Sequence, residues 1–462
     1  MRSIVIIGAG AAGVSLFVHL ACEGLKDTES VTLIDPNPPG RGIAFGDSNQ
    51  ALLCNTSAGI QSIISSAPSD FLDYCRSRGL PTKQEDYVPR ALVGDYCRDR
   101  FQDCVELAVQ QGIRVVHVPD RALSITPTIG GHQVSLANGG QLQCSKVAIC
   151  AGLTKPRIPD GFQNYREHPR LILMPYPTAD MRARIAVDEA QVLVVGSGLS
   201  AIDIAHLLCI DGYQVTMASR SGVLPAVRSR FLYNSRPFEI LSQIRELSVD
   251  DPDLHNRLKH IVTAAVREIH PLPLRDQVSH AVDPLQRLRE ETQLAVAGLC
   301  HWQEAAYALL DIIMDWTAGV SQIMRDALLA PYRQTLWRYL GAMALPNAQR
   351  LLKHAESGLL RLTTYNPIFV RGTEEGFEVS GKRYDYVVGA AGFSAPALFR
   401  SGQQICIDDY AKGAAPVTSV GPDLRVEPNV WLAGMTNMRI PVNNFLPSTV
   451  RQAEHVAGRL LS

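Results

Sequence analysis

Short apolar runs that end in small or polar residues recur along the chain, with helical periodicity between many of them. Apolar runs without alternation predict strands buried on both faces, as in parallel sheets, and the helical segments between them predict crossover connections. Residues 115–118 and 133–136 alternate instead, which predicts antiparallel strands. The pattern as a whole predicts an α/β fold. The apolar runs lie within residues 4–7, 30–35, 146–152, 191–195, 213–220, 384–392 and 429–434.

The first run leads into a glycine turn with the spacing of a dinucleotide fingerprint. Gly8, Gly10 and Gly13 follow the strand. The first permits a tight turn, the second lets backbone approach a pyrophosphate, and the third lets the next helix pack on the strand. The helix at 14–22 then offers free N–H groups to phosphates. Asp35 ends the next strand about twenty residues later, where an acid binds a ribose hydroxyl. We expect FAD at this site.

A second turn of the same design follows the fourth apolar run. Gly196 and Gly198 hold the first two glycine positions, and Ala201 holds the third, where Gly or Ala is accepted. The strand after it ends in Ser219 and Arg220 instead of an acid. An arginine there accommodates a 2′-phosphate, so NADPH is favoured over NADH. The alternative is that this arginine is only a solvated surface residue.

Two such turns in one chain predict two Rossmann-like dinucleotide-binding domains, in which one nucleotide reduces the other. After the second turn, from about residue 231 to residue 360, apolar residues recur at helical spacing without strand alternation, which predicts a helical insertion into the second unit that acts as a lid or substrate domain. Its Trp302, Trp316 and Trp337 are predicted to face the core, and its histidines lack companion ligands, so no metal is expected. The predicted division is a FAD-binding domain at 1–160 completed by 385–462, an NAD(P)H-binding domain at 185–230 and 359–395, and the insertion at 231–358.

Charge, hydropathy and cysteine content limit which ligands and which cellular location the sequence predicts. The 462 residues carry a formal net charge of −1, which argues against nucleic acid or an anionic membrane as the main ligand. No apolar stretch reaches the roughly 18 residues of a membrane span. Ten cysteines without a C-x-x-C pair indicate reduced thiols and a cytoplasmic location. Residues 2–22 resemble a signal peptide in hydropathy, but the glycine turn argues against that interpretation. A homo-oligomer stays compatible with these features.

Further small and polar residues are predicted to line the nucleotides. The turn after residue 149 brings backbone close to a dinucleotide, although an ordinary strand end is the alternative. A final helix beginning at 447 could direct its N–H groups at an electron-rich flavin edge. Arg90 is predicted to bind the pyrophosphate or a substrate carboxylate, and Asn444 to lie beside the reactive ring edge; both also fit as residues that cap turns. The predicted cofactor-binding residues are Gly8, Gly10, Gly13, Asp35, Asn55, Gln61, Ala151, Gly152, Gly196, Gly198, Ser200, Ala201, Ser219, Arg220, Gly392, Gly434 and Thr449.

With these residues assembled, the chain resembles the two-dinucleotide flavoproteins that include the class B flavin monooxygenases. It is most similar to the group related to bacterial amino-acid and amine N-hydroxylases. The resemblance implies that NADPH reduces FAD, that O2 adds to the flavin to give a peroxyflavin, and that one oxygen passes to a small substrate, most plausibly at an amine nitrogen. It covers most of the chain and rests on the segments 8–13, 52–55, 87–90, 149–152, 196–201, 389–393 and 431–434.

Three departures bear on the choice among functions. Many reductases of this architecture place an acid after the C-terminal glycine, where this chain has Met435. The disulfide reductases carry a cysteine pair that is missing here. The linker at 162–177 matches the Baeyer–Villiger fingerprint only in degenerate form. The alternatives to N-hydroxylation are Baeyer–Villiger oxygenation, an NAD(P)H-dependent reductase or dehydrogenase with another acceptor, and a flavin-binding sensor without turnover.

Overall fold

The computed structural model describes residues 2–25, 27–230, 238–317, 320, 322–394, 396–408, 415–417, 420–421, 423–434 and 445–462. Up to residue 149 the elements are β1 (Arg2–Ile7), α1 (Ala11–Glu23), β2 (Thr28–Ile34), α2 (Asp70–Ser77), α3 (Arg90–Gln110), β3 (Arg114–Val118), β4 (Ala122–Thr128), β5 (Gly131–Leu136), β6 (Gln141–Cys144) and β7 (Lys146–Ile149). From there to residue 219 they are β8 (Lys155–Pro156), β9 (Leu171–Ile172), α4 (Thr178–Arg184), β10 (Gln191–Val195), α5 (Leu199–Ile210) and β11 (Gln214–Ser219).

A largely helical stretch follows, and then a second series of strands. The stretch contains β12 (Val227–Arg228), α6 (Glu239–Ser242), α7 (Leu254–Ile269), α8 (Pro284–Val296), α9 (Trp302–Trp316), α10 (Gln322–Leu329), α11 (Arg333–Leu340), β13 (Met343–Ala344) and α12 (Leu345–Glu356). The remaining elements are β14 (Leu360–Thr364), β15 (Val370–Thr373), β16 (Gly376–Val379), β17 (Lys382–Tyr384), β18 (Tyr386–Gly389), β19 (Phe393–Ser394), β20 (Leu398–Ser401), β21 (Gln404–Ile407), β22 (Ala415–Pro416), β23 (Arg425–Glu427), β24 (Val430–Leu432) and α13 (Leu446–Leu461).

The first glycine turn follows the strand β1 of a six-stranded sheet ordered β23-β24-β7-β1-β2-β3. From β24 to β3 the neighbouring strands are parallel. Ile4 and Ile6 of β1 pack towards the helices α1, α3 and α13, whereas Val5 and Ile7 pack towards a second, antiparallel sheet ordered β22-β20-β21-β4-β5-β6. Because both faces are covered, the run at 4–7 is continuously apolar.

The two alternating segments differ from each other in the structure. Residues 133–136 lie in β5, which pairs antiparallel with β4 and β6, as predicted. The antiparallel prediction was wrong for residues 115–118, because β3 pairs parallel with β2. It alternates because it is the edge strand of its sheet and Val115–Val118 are only partly buried.

The second glycine turn follows β10 in a five-stranded sheet ordered β14-β11-β10-β18-β9, in which neighbouring strands are parallel. Val192 and Val194 of β10 join the core formed with α5 and the helical stretch, whereas Leu193 and Val195 pack towards the small antiparallel sheet β15-β16-β17 around Phe377. Two parallel sheets, each with a glycine turn after a central strand, confirm the α/β fold with two Rossmann-like units.

The helices between β12 and α12 share the core of the second sheet. Leu254, Ile261 and Leu288 of these helices belong to one buried cluster with Ile204 and Leu208 of α5. This region therefore packs as an outer helical layer on the second unit. Among the described residues, no helix combines the length and the apolar character needed to cross a bilayer.

The insertion contains a break near its end and one exposed tryptophan. Between residues 323 and 340, α10 ends at Leu329 and α11 begins at Arg333, because Pro331 between them lacks the N–H group that an α-helix needs. Trp302 is buried, as predicted, but Trp337 is 38% exposed, so its placement in the core was wrong.

Candidate functional site

The first glycine turn has no room for side chains at two of its three positions. An ideal Cβ on Gly8 would lie 2.7 Å from the carbonyl oxygen of Cys150, and one on Gly13 would lie 1.9 Å from the carbonyl oxygen of Gly8. Gly8 also has a φ of +100°, which favours glycine. No side chain caps the N-terminus of α1, so its N–H groups face the turn, as a phosphate site requires.

A loop that the sequence interpretation left without a function lies against this turn. Gly40 donates its N–H to the carbonyl oxygen of Ala9 over 2.8 Å, and an ideal Cβ on Gly42 would lie 3.0 Å from Cα of Gly10. Gly10 and Gly42 thus bring two backbones together with no side chain between them. The closely spaced glycines at 40, 42 and 46 were the signal that could have identified this loop as part of the site.

Asp35 lies at the end of β2 and also holds the turn in place. Its Oδ2 accepts the N–H of Ala9 over 2.8 Å, and its Oδ1 accepts the N–H of Asn37 over 2.8 Å. Its carboxylate is therefore adjacent to the glycine turn, where the fingerprint places a ribose. Binding of a hydroxyl would use the remaining lone pairs.

Buried polar atoms without a protein partner lie near the segment 55–61. The side-chain amide of Gln61 donates to the carbonyl oxygen and to Oγ1 of Thr56, over 3.0 and 2.7 Å. Its Oε1 and the Oγ of Ser57 are buried without a hydrogen-bond partner in the part of the chain that the structure describes. An unsatisfied buried polar atom costs about 1–3 kcal/mol. These atoms fit a polar cofactor as a partner. Asn55 accepts from Nδ2 of Asn347 in α12 over 3.4 Å.

The C-terminal segment returns to the first unit, as the sequence predicts. Gly434, with a φ of +74°, lies between α1 and α13: an ideal Cβ would be 2.7 Å from Cβ of Ala12 and 3.4 Å from Cγ2 of Thr449. Its N–H donates to Oε1 of Gln452 over 3.0 Å. Gly434 and Thr449 are thus neighbours next to the first glycine turn. Asn444, predicted to lie beside the reactive ring edge, and Met435, which stands where many reductases have an acid, lie outside the described residues.

The turn after β7 is open where the first glycine turn is crowded. An ideal Cβ on Gly152 would meet nothing within 4 Å, and Ala151 is partly exposed. Among the described residues no contact requires glycine at 152, so the predicted approach to a dinucleotide stays a prediction. Gly392 has a φ of +92°, and its carbonyl oxygen accepts the N–H of Arg157 over 2.9 Å.

The second glycine turn has the same construction as the first. Gly196 has a φ of +143°, and an ideal Cβ on it would lie 2.3 Å from the carbonyl oxygen of Ala390. No side chain caps the N-terminus of α5, which begins after Gly198. Ala201 is fully buried at the position where helix and strand pack. The hydroxyl of Ser200 hydrogen-bonds Tyr176.

Ser219 and Arg220 lie at the end of β11, beside this second turn. Oγ of Ser219 accepts the N–H of Gly222 over 3.0 Å. Arg220 forms an ion pair with Asp160 over 2.7 Å, and its side chain is 72% exposed. Exposed ion pairs contribute little stability, so the guanidinium could exchange this partner for a phosphate.

Arg90 forms an ion pair with a carboxylate of the second unit. Its Nη2 is 2.5 Å from Oδ2 of Asp203 in α5, with side-chain exposures of 16% and 3%, and its Nε donates to the carbonyl oxygen of Leu53. Burial raises the pKa of Asp203, and the Arg90 guanidinium and Tyr176 hydroxyl oppose that rise. Arg90 is thus engaged in a buried ion pair between the two units, which argues against its predicted contact with a pyrophosphate or substrate carboxylate.

Two histidines adjoin this ion pair. Nδ1 of His206 in α5 is 2.9 Å from Nε2 of His354 in α12. Burial, together with the nearby Arg350 and His354, lowers the pKa of His206 to about 4. The pair is neutral near pH 7, with one ring donating to the other. The described residues contain no group of three or more His, Cys, Asp or Glu side chains arranged to hold a metal.

Comparisons with known proteins bear on this arrangement. A family model described as FAD-NAD(P)-binding matches residues 5–154. The match spans the first glycine turn, Asp35 and the turn after β7. This part of the chain is therefore similar to FAD/NAD(P)-binding domains, which agrees with the two-nucleotide resemblance drawn from the sequence. No sequence among the curated proteins matches the chain.

Solved structures show the same fold over the full length. An ornithine hydroxylase from Pseudomonas aeruginosa has a TM-score of 0.58 at 15% identity, covering 100% of this chain and 99% of that one. An L-lysine 6-monooxygenase from Pseudomonas syringae has a TM-score of 0.55 at 16% identity, with 100% and 99% covered. A cyclohexanone monooxygenase has a TM-score of 0.52 at 14% identity, with 100% and 88% covered.

Proposed function

We propose that this protein is an NADPH-dependent flavin monooxygenase that oxygenates a small molecule, by N-hydroxylation of an amine or amino acid. The observation that carries the proposal is the pair of glycine turns, each after a central parallel strand and each leading into an uncapped helix. Two dinucleotide sites in one chain serve hydride transfer between the nucleotides.

FAD is assigned to the first turn, and the residues there fit it. Gly8 and Gly13 let the turn pack against neighbouring backbone, Gly10 and Gly42 leave a surface without side chains for a pyrophosphate, and the uncapped α1 directs its N–H groups at the phosphates. Asp35 is placed to accept a ribose hydroxyl. Oε1 of Gln61 and Oγ of Ser57, which have no hydrogen-bond partner among the described residues, are assigned hydrogen bonds to polar atoms of the cofactor. The chemistry itself, hydride acceptance and oxygen activation, is supplied by FAD when it is bound.

NADPH is assigned to the second turn, with Arg220 as the residue that selects its 2′-phosphate. Gly196 lets the turn pack against the backbone of Ala390, Gly198 leaves room for the pyrophosphate, and the uncapped α5 supplies N–H groups. The protein's own contribution is to hold the two nucleotides against each other and to exclude water from the reacting edge. We assign the exclusion of water from this edge to the helical layer that packs on the second unit.

N-hydroxylation is preferred because two of the similar structures, those of the ornithine hydroxylase and the lysine monooxygenase, correspond over 99% of their own length. The cyclohexanone monooxygenase corresponds over 88% of its length, so ketone oxygenation is the second candidate. A thiol-reducing activity is disfavoured, since of the ten free cysteines nine are buried and only Cys22 is exposed.

The test is anaerobic reduction of the flavin-loaded protein by NADPH and, separately, by NADH, followed by admission of oxygen with and without substrate. Amines, amino acids and ketones are screened by the ratio of oxygenated product to hydrogen peroxide. We expect faster reduction by NADPH and a hydroxylamine product that replaces peroxide when the correct amine is present. An ester product from a ketone would select the second candidate. Reduction that is followed by peroxide alone across the whole panel would contradict a monooxygenase of these substrates.

A further inference from the structure

The helical insertion contacts the second glycine turn and also the turn that follows β11. Cζ2 of Trp337, in α11, lies 3.7 Å from the position of an ideal Cβ on Gly198. Cγ of Pro284, at the start of α8, lies 3.5 Å from that of Gly222, just beyond Arg220. The insertion therefore lies beside the predicted NADPH site.

The position of α11 beside the turn is fixed by its own contacts. The carbonyl oxygen of Arg338 accepts the N–H of Ala226 over 3.0 Å, and Ala226 in turn accepts the N–H of Met343 over 2.8 Å. Arg338 also forms a buried ion pair with Glu291 of α8. Because residue 226 lies shortly after β11, α11 is tied to the strand that ends in Arg220.

Trp337 is exposed although its neighbours on α11 are buried. Leu336 and Arg338 are 8% and 9% exposed, whereas Trp337 is 38% exposed. A large aromatic side chain usually buries its surface in a core or against a partner. Here the indole faces the backbone of a turn that has the shape of a pyrophosphate site.

We propose that Trp337 is a dinucleotide-binding residue, whose indole forms the wall of the second site on the side of the insertion. This inference rests on the proposed function, because it takes the second turn to bind NADPH. An aromatic wall excludes water from one side of the pyrophosphate, which strengthens the hydrogen bonds from the N–H groups of α5. The insertion would then contribute to holding the nicotinamide nucleotide, in addition to any role over the substrate.

The experiment is calorimetric titration of the flavin-loaded protein with NADP+, which binds without reducing the flavin. Trp337→Ala is expected to weaken binding about tenfold, as for an aromatic contact residue in a binding site, and Trp337→Phe about threefold. Thr335→Ala, an exposed change on the same helix, serves as the matched control and is expected to leave the dissociation constant unchanged. Unchanged flavin content and melting temperature in each variant exclude a general loss of structure.

Two outcomes overturn the inference while the proposed function stands. Equal affinity of wild type and Trp337→Ala for NADP+ would show that the indole makes no contact, and tighter binding by Trp337→Ala would show that the indole obstructs the turn. A wild-type protein that holds FAD but binds neither NADP+ nor NAD+ would instead refute the second nucleotide site itself, and the inference with it.

Discussion

The first and third glycines of the first turn are constrained by neighbouring backbone, and the second is not. A side chain on Gly13 would meet the backbone of Gly8 at 1.9 Å, and one on Gly8 would meet the backbone of Cys150 at 2.7 Å. A Cβ on Gly10 would meet Gly42 at 3.5 Å, which is ordinary contact. The first and third glycines are therefore required by the protein, whereas the second keeps open the surface that a cofactor would use.

Gly13→Ala is expected to destabilise the protein by about 1–3 kcal/mol or more, because backbone on both sides must shift to admit the methyl group. The purified variant should lose FAD and melt at a lower temperature than wild type. Gly458→Ala in α13 is the control: its Cβ would meet nothing within 4 Å, so a helical alanine there should be neutral or slightly stabilising. Equal melting temperatures of Gly13→Ala and Gly458→Ala would contradict the steric argument.

Arg220 and Asp160 are expected to change the choice of nicotinamide nucleotide in opposite directions. Arg220→Gln should weaken NADP+ binding about tenfold and leave NAD+ binding unchanged, because only NADP+ carries the 2′-phosphate. Asp160→Asn removes the competing carboxylate and should tighten NADP+ binding about twofold. Calorimetric titration with both nucleotides measures the effect, and Arg383→Gln, an exposed change on β17, is the control. A parallel loss for NAD+ would indicate a structural role for Arg220.

At the scale of elements, α12 joins the insertion to both nucleotide units. Three side chains at helical spacing lie along it: Asn347 contacts Asn55, Arg350 donates to the carbonyl oxygen of Ala51 over 2.9 Å, and His354 contacts His206 of α5. Residues three and four apart share a helix face. One face of α12 thus contacts the first unit and α5 together.

The histidine pair between α5 and α12 makes stability depend on pH. The folded-state pKa of His206, about 4, is below its unfolded value of about 6.5. Between these values the unfolded chain binds more protons, so the stability present above pH 6.5 is lost as the pH falls towards 4. The loss is on the order of 2–3 kcal/mol.

His206→Gln is expected to reduce this dependence, because glutamine can hydrogen-bond His354 and does not titrate. The measurement is the melting temperature at pH 7 and pH 5 for wild type and variant. His455→Gln, at an exposed position of α13, should retain the wild-type slope. If the melting temperature falls equally between pH 7 and pH 5 in all three proteins, the histidine pair does not govern acid sensitivity.

At the scale of the whole molecule, buried polar contacts join the two nucleotide units. Arg90 and Asp203 form one of them. In another, Oδ2 of Asp47 accepts the N–H of Thr178 over 2.6 Å. Buried hydrogen bonds and ion pairs form only when donor and acceptor are correctly placed. They therefore favour one orientation of the two units, whereas an apolar surface would allow several.

Removing the charge of Asp203 should destabilise the protein strongly, because it leaves the Arg90 guanidinium buried without its counter-charge. The cost of breaking a buried ion pair is about 3–5 kcal/mol, and Asp203→Asn should lower the melting temperature by about 5 °C or more. The double variant Arg90→Met, Asp203→Leu should recover part of the loss. Arg76→Gln breaks the exposed pair with Asp73 and should have little effect, so an equal loss in that control would contradict the argument.

The sequence by itself determined the two parallel sheets, the two glycine turns and the helical character of the insertion. These three features depend on local sequence patterns, namely continuous apolar runs, glycine spacing and helical periodicity. Each pattern is contained in a segment of about thirty residues. The same local patterns predicted Asp35 and Gly434 at the edge of the sheet beside the first turn, because strand ends of one parallel sheet meet at one edge.

Tertiary structure alone decided which side chains meet across the chain. Arg90 has a side chain suited to binding phosphate, yet its guanidinium pairs with the carboxylate of Asp203, more than a hundred residues away in sequence. Trp337 has the periodicity of a core residue, yet it lies against Gly198, and the alternation at 115–118 came from an edge strand. In each case the environment is set by packing between distant segments, whose free energy depends on their relative placement and leaves no signature in the local sequence.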